Sequence, residues 1–145
     1  MTFKEPGAIE TTITNFFGYL FYGGTAKRYI ESLDLSGSER VLDYGSGNGA
    51  VSRFLAGRLR EKGGYLTCID ISAVWQRIIR KKLAAYENVD FFQGTIAEFA
   101  ASRDGEDGAE GGPRYDAGFI HFMLHDIPEE ERQGHLMTLS GLVRS

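Results

Sequence analysis

The run Val41-Leu42-Asp43-Tyr44-Gly45-Ser46-Gly47-Asn48-Gly49 constrains the fold more than any other part of this 145-residue chain. Arg40 to Tyr44 reads as a short apolar strand, and the five residues after it carry glycine at alternate positions. Glycines so placed remove side chains where the backbone must turn sharply and where a ligand must come close. A strand, a glycine turn and a following helix begin a parallel α/β unit, and the free N–H groups at that helix start favour a carboxylate or phosphate.

The remaining sequence continues the alternation. Ile9, Ile13, Phe16, Phe17, Leu20 and Phe21 recur at the spacing of one helix face. Gly23-Gly24 interrupts that pattern, and Ala26, Tyr29, Ile30 and Leu33 resume it. After the glycine run, a helix turns Val51, Phe54, Leu55 and Leu59 inward and Arg53, Arg58 and Arg60 outward. Tyr65 to Ile69 is a second strand closed by Asp70, and Ser72 is placed to cap a helix burying Trp75, Ile78, Ile79, Leu83 and Tyr86. Val89 to Gln93 is a third strand, Ile96 to Ala101 a short helix, and Arg103 to Arg114 an aperiodic surface loop. Asp116 to Phe122 is a fourth strand, and Asp126-Ile127-Pro128-Glu129 starts a last helix with a carboxylate cap. Strands alternating with helices predict an α/β fold, a doubly wound parallel sheet with helices on both faces and the fourth strand beside the first.

Composition narrows the function classes. Hydrophobic residues make up 42% and charged residues 25%, as in a soluble globular domain. Sixteen Lys+Arg against twenty Asp+Glu give a net charge of -4, which weighs against nucleic acid as a partner. No apolar run approaches the roughly 18 residues that span a bilayer, so no membrane partner is expected. The opening MTFKEPGAIETT lacks the features of a secretory signal. The single cysteine, Cys68, forms no internal disulfide and reads as a buried small hydrophobe. A cytoplasmic, reduced protein is expected. The three histidines show no metal-ligand spacing, so no metal is expected.

Two carboxylates accompany the glycines. Asp70 ends the second strand, twenty-five residues after Gly45, where a carboxylate accepts two hydrogen bonds from a ribose diol. Glycines and strand-end acid together point to a nucleoside cofactor. Gly45-x-Gly47-x-x-Ala50 also fits a dinucleotide fingerprint, which leaves a nicotinamide-dependent oxidoreductase as an alternative. Against it, Asp43 lies two residues before the first glycine, where it repels a pyrophosphate and suits a cationic ammonium or sulfonium ligand.

VLDYGSGNG resembles the first motif of class I S-adenosylmethionine-dependent methyltransferases, and three further segments follow that family's order. Tyr65 to Ser72 is similar to its second-strand segment, Val89 to Ile96 to its third, and Tyr115 to Pro128 to its fourth, with Leu124-His125-Asp126-Ile127-Pro128 close to its "LHHIP"-like run. The resemblance covers roughly residues 40 to 143. It implies a Rossmann-like domain over 39–145 that binds S-adenosylmethionine, preceded by a helical cover or lid over 1–38. It also implies that Asp43, Gly45 and Gly47 hold the methionine end, that Asp70 binds the ribose hydroxyls, and that Ile71 flanks the adenine. Ser46 and Asn48 are candidate loop contacts, and Thr95 and Ile96 are candidates for the adenine pocket. The family usually has Asp where Thr95 stands, and a Thr there also suits a helix cap. Three more strands normally follow the fourth; this sequence lacks them, so it reads as a truncated form of the fold.

The implied activity is transfer of a methyl group by in-line displacement to a small-molecule acceptor, which no residue identifies. His121, at the end of the fourth strand, is the candidate general base and a candidate cofactor contact. His125 reads as packed beside the last helix's capped turn, and His135 as solvent-facing. Tyr22, with Tyr19, is a candidate lid contact, with Gly23-Gly24 as its hinge. The open edge of the fourth strand, or the last helix, is a candidate homodimer surface. A non-catalytic cofactor-binding or partner-binding module is the other reading.

Overall fold

Alternating strands and helices of this length bury their apolar faces by stacking helices on both sides of one sheet. A computed structural model, describing residues 5–17, 23–103, 115–121 and 123–144, has that arrangement. Helices α1 (Ala8–Phe17) and α2 (Gly23–Ser32) precede β1 (Arg40–Tyr44), α3 (Ser52–Arg60), β2 (Tyr65–Asp70) and α4 (Ala73–Lys82). Then come β3 (Val89–Gln93), α5 (Ile96–Arg103), β4 (Ala117–Ile120) and α6 (Glu129–Leu142). The strands run in the order β3-β2-β1-β4, and every neighbouring pair is parallel. As expected, β4 lies against β1, so the chain reverses its direction of travel across the sheet at β1. In open parallel sheets, ligands bind beyond the carboxyl ends of the strands at such a reversal.

Two apolar layers hold the sheet. On one face Ile30, Val41, Leu55, Leu59, Leu66, Cys68, Ile79 and Leu83 form a continuous cluster. On the other, Leu42, Tyr44, Ile69, Ile96, Phe99, Tyr115 and Leu139 do the same. Alternate residues of β1 thus enter opposite layers, and each fully buried Leu or Ile contributes about 1.5–3 kcal/mol. Trp75, Ile78 and Tyr86 are only partly buried, and their expected place on the inner face of α4 is shared by Gln76, 2% exposed, whose amide donates to the Phe92 carbonyl at 2.8 Å.

Several boundaries differ from expectation. Gly23 and Gly24 lie in the first turn of α2, where they are helical. Ser72 caps α4 as expected, accepting from the Trp75 N–H at 3.1 Å. At α6 Pro128 occupies the cap position with no side-chain bond, and Asp126 closes a turn through its backbone onto Met123 at 2.9 Å. Arg58 does not simply face solvent; its guanidinium donates to the Leu35 carbonyl at 2.6 Å. Beyond α6, Val143 bridges to Tyr115 in parallel, two residues before β4 begins. The loop expected from Arg103 to Arg114 starts later, since Arg103 is the last residue of α5; residues 104–114, the end of the fourth strand at Phe122, and the lid contacts of Tyr19 and Tyr22 lie outside the described residues. Among the described residues no helix is long and apolar enough to cross a membrane.

Candidate functional site

The glycine run turns at the carboxyl end of β1. The N–H groups of Gly45 and Ser46 both donate to the Ile69 carbonyl, at 2.8 and 3.2 Å, so the turn is tied to β2. Gly49 donates to the Ser46 carbonyl at 2.9 Å, and the Asn48 side chain accepts from Ala50 at 3.0 Å. All three loop glycines have positive φ, but they serve different needs. A Cβ on Gly45 would meet Met123 at 2.6 Å, and one on Gly49 would meet Ile79 at 2.7 Å. At Gly47 the nearest atom would be the Gly45 carbonyl oxygen, 4.0 Å away. The protein's own packing therefore excludes side chains at Gly45 and Gly49, whereas Gly47 faces open space.

Asp43 and Asp70 stand on adjacent strands beside this turn. Asp43 is 1% exposed; one carboxylate oxygen accepts from the Ser52 hydroxyl at 2.6 Å, and the other, Oδ1, has no partner among the described residues. Burial pushes its carboxyl above the usual range, Ser52 and nearby His121 oppose the shift, and the charge of Asp70 adds to it. Asp70 accepts from Gly47 N–H at 2.7 Å and from Ser72 N–H at 2.9 Å. Burial raises its carboxyl too, against the pull of those two bonds. A backbone N–H of the open glycine is thus already directed by the strand-end carboxylate.

Around this centre the other predicted residues sort themselves. Ser46 is buried with its hydroxyl 3.5 Å from the Ile69 carbonyl, and Ile71 is 40% exposed beyond the end of β2. Thr95 caps α5: its hydroxyl accepts from Glu98 N–H at 3.2 Å, while the Glu98 carboxylate takes the Thr95 N–H at 2.7 Å. Ile96 is fully buried in the core. His121 is partly buried, stacked on Phe119 at 5.7 Å and met edge-on by Tyr29 at 5.5 Å. Its Nε2 is buried without a partner among the described residues.

The other two histidines reverse expectation. His125 is not packed; it is 70% exposed beside Asp126. His135 is not turned to solvent; its Nδ1 lies 2.7 Å from the Tyr44 hydroxyl, and the two rings stack at 5.9 Å. Sequence reasoning also passed over Ser52, Met123 and Glu5. Ser72 Oγ and the Ala73 and Val74 N–H groups donate to the Glu5 carboxylate at 2.6, 2.8 and 3.4 Å. No periodicity or motif signals a residue that reaches a site 67 positions away in sequence. Among the described residues no cluster of metal-ligating side chains occurs.

The donor set fits a ligand bearing a positive charge and a diol. A buried carboxylate oxygen with no partner is costly alone and is relieved by an ammonium or sulfonium group. A strand-end carboxylate next to an open glycine suits ribose hydroxyls.

The methyltransferase domain family matches residues 41–145. No curated protein sequence matches the chain. Among solved structures, an O-methyltransferase family protein from Burkholderia thailandensis superposes with TM-score 0.69 at 18% identity, over 91% of this chain and 37% of that one. The magnesium protoporphyrin IX methyltransferase of Synechocystis PCC 6803, with S-adenosylmethionine bound, gives 0.61 at 20% identity over 97% of this chain and 62% of that one. A SAM-dependent methyltransferase from Aquifex aeolicus gives 0.61 at 18% identity over 82% and 58%. The chain spans less than two thirds of each of these structures.

Proposed function

Since the chain belongs to the methyltransferase domain family, we propose that it binds S-adenosylmethionine at the glycine turn and serves methyl transfer to a small-molecule acceptor. The observation that carries this reading is the buried Oδ1 of Asp43, unpartnered among the described residues, on the strand that leads into the glycine turn. When bound, the cofactor supplies a methyl group made electrophilic by its sulfonium. Asp43 neutralises the positive methionine end, with Ser52 fixing its other oxygen. Gly45, Ser46, Gly47 and Asn48 form the backbone cradle, and Asp70 accepts from the ribose hydroxyls while holding Gly47 in place. Ile71 covers the adenine, with Thr95 on its other side.

His121 takes the acceptor's proton when the acceptor arrives protonated; its ring is held by Phe119 and Tyr29 for that task. The protein's main contribution is alignment of nucleophile and methyl carbon, so no catalytic triad is needed. We assign the protein to the cytoplasm, where a lone buried thiol such as Cys68 stays reduced. A second copy would pair through the outer edge of β4 or through α6, which exposes Leu136 and Met137.

Calorimetry tests the reading. S-adenosylhomocysteine is expected to bind the chain, and NAD is not; binding of NAD alone would reverse the assignment to an oxidoreductase. Turnover by this chain with added acceptors would remove the reading of a purely cofactor-binding module.

A further inference from the structure

The amino end of α4 is built to hold an anion, and the protein fills it with its own carboxylate. The Ser72 hydroxyl and the Ala73 and Val74 N–H groups converge on Glu5, and the Arg77 guanidinium adds positive charge from the next turn. A hydroxyl, two helix-terminal N–H groups and an arginine are the donor types that bind phosphate. The seat lies immediately after Asp70, close enough that Glu5 acts on the Asp70 charge. Two carboxylates therefore flank the position that follows β2. A neutral diol tolerates such a pair, since each oxygen only accepts hydrogen bonds. A phosphate attached to the same ribose meets two like charges and finds its donors already taken.

We propose that Glu5 is a specificity-determining residue that plugs the anion seat at α4, so that the site takes an unphosphorylated ribose and rejects a phosphorylated one. The inference rests on the reading that the ribose lies at Asp70. It extends that reading by assigning a role to a residue far from the glycine run.

The test compares the wild-type chain with Glu5→Ala and Glu5→Gln, using S-adenosylhomocysteine and adenosine 2′-monophosphate as probes in calorimetry. The wild-type chain is expected to bind S-adenosylhomocysteine and to show no heat with the monophosphate. Both variants should keep S-adenosylhomocysteine binding and gain affinity for the monophosphate by about tenfold or more: Glu5→Gln lifts the charge repulsion, and Glu5→Ala also empties a helix terminus that attracts negative charge. Glu5→Gln separates charge from size: it keeps the side chain's length and an acceptor oxygen but loses the repulsion. Monophosphate affinity unchanged in both variants, or already present in the wild-type chain, would overturn the plug. Absence of S-adenosylhomocysteine binding in the wild-type chain would instead overturn the assignment of the ribose to Asp70, and the two failures appear in separate titrations.

Discussion

Asp43→Asn should make the ligand-free protein more stable while weakening its grip on the cofactor. Asp43 is 1% exposed, and among the described residues only one of its two oxygens has a partner, Ser52. An unsatisfied buried acceptor costs about 1–3 kcal/mol, more when it is charged. The asparagine oxygen can still accept from Ser52, and its amide replaces the uncompensated charge with a neutral group. A gain of about 1–3 kcal/mol is therefore expected at neutral pH, which raises Tm by several degrees in a domain of this length. The sign of the pH dependence follows from burial. Burial holds the folded-state carboxyl above its ordinary value of 3.8. Ionisation of Asp43 thus removes stability as pH rises through the raised folded value, and that stability returns as pH falls toward the unfolded one. The Tm difference between variant and wild type should accordingly be largest near neutrality and close on acidification. In calorimetry the same variant should bind S-adenosylhomocysteine more weakly by about 1.5–3 kcal/mol, or roughly 10- to 150-fold, the loss of one charge-assisted contact. A lower Tm for the ligand-free variant at neutral pH would refute the reasoning, whatever happened to binding.

Further outcomes follow from the same geometry. Asp70→Asn leaves one oxygen to serve both Gly47 and Ser72; S-adenosylhomocysteine affinity should drop by roughly 1–3 kcal/mol, and an unchanged titration curve would remove its assigned role. Gly49→Ala meets Ile79 at 2.7 Å in a left-handed backbone; it should lower stability by about 2–5 kcal/mol in denaturant melts, the sum of strain and overpacking. Gly47→Ala meets nothing closer than 4.0 Å, so it should cost only the backbone strain of about 1–2 kcal/mol yet obstruct ligand approach in calorimetry. Tyr44→Phe removes the bond to His135; a loss of about 0.5–1.5 kcal/mol in stability with cofactor affinity unchanged would mark that pair as structural.

The parallel sheet, its strand order and the placement of Asp43 and Asp70 beside the glycine turn were legible because each depends on local pattern. Strand runs bounded by glycine and acid, and helices of about ten residues between them, permit few topologies once crossovers are right-handed. The seven apolar positions from Leu55 to Leu83 in the first core cluster follow the same logic, since periodicity alone decides which side of an element turns inward. His135 differs from expectation because its partner lies across a helix interface, and His125 because its turn leaves the ring exposed beside Asp126. Polar neighbours in sequence gave no hint that Tyr44, ninety-one residues earlier, would reach the imidazole of His135.

Chain order alone thus determined the layered sheet and the identity of the residues at its carboxyl edge, because backbone hydrogen bonding and burial periodicity are short-range properties written along the chain. Only the tertiary structure decided which of those groups are already satisfied. It sets Ser52 on one oxygen of Asp43 and leaves the other bare among the described residues, closes Gly45 and Gly49 with Met123 and Ile79 while Gly47 stays open, and brings Glu5 onto the end of α4. Such pairings join segments distant in sequence, and their strength depends on burial and distance, which exist only once the chain has folded.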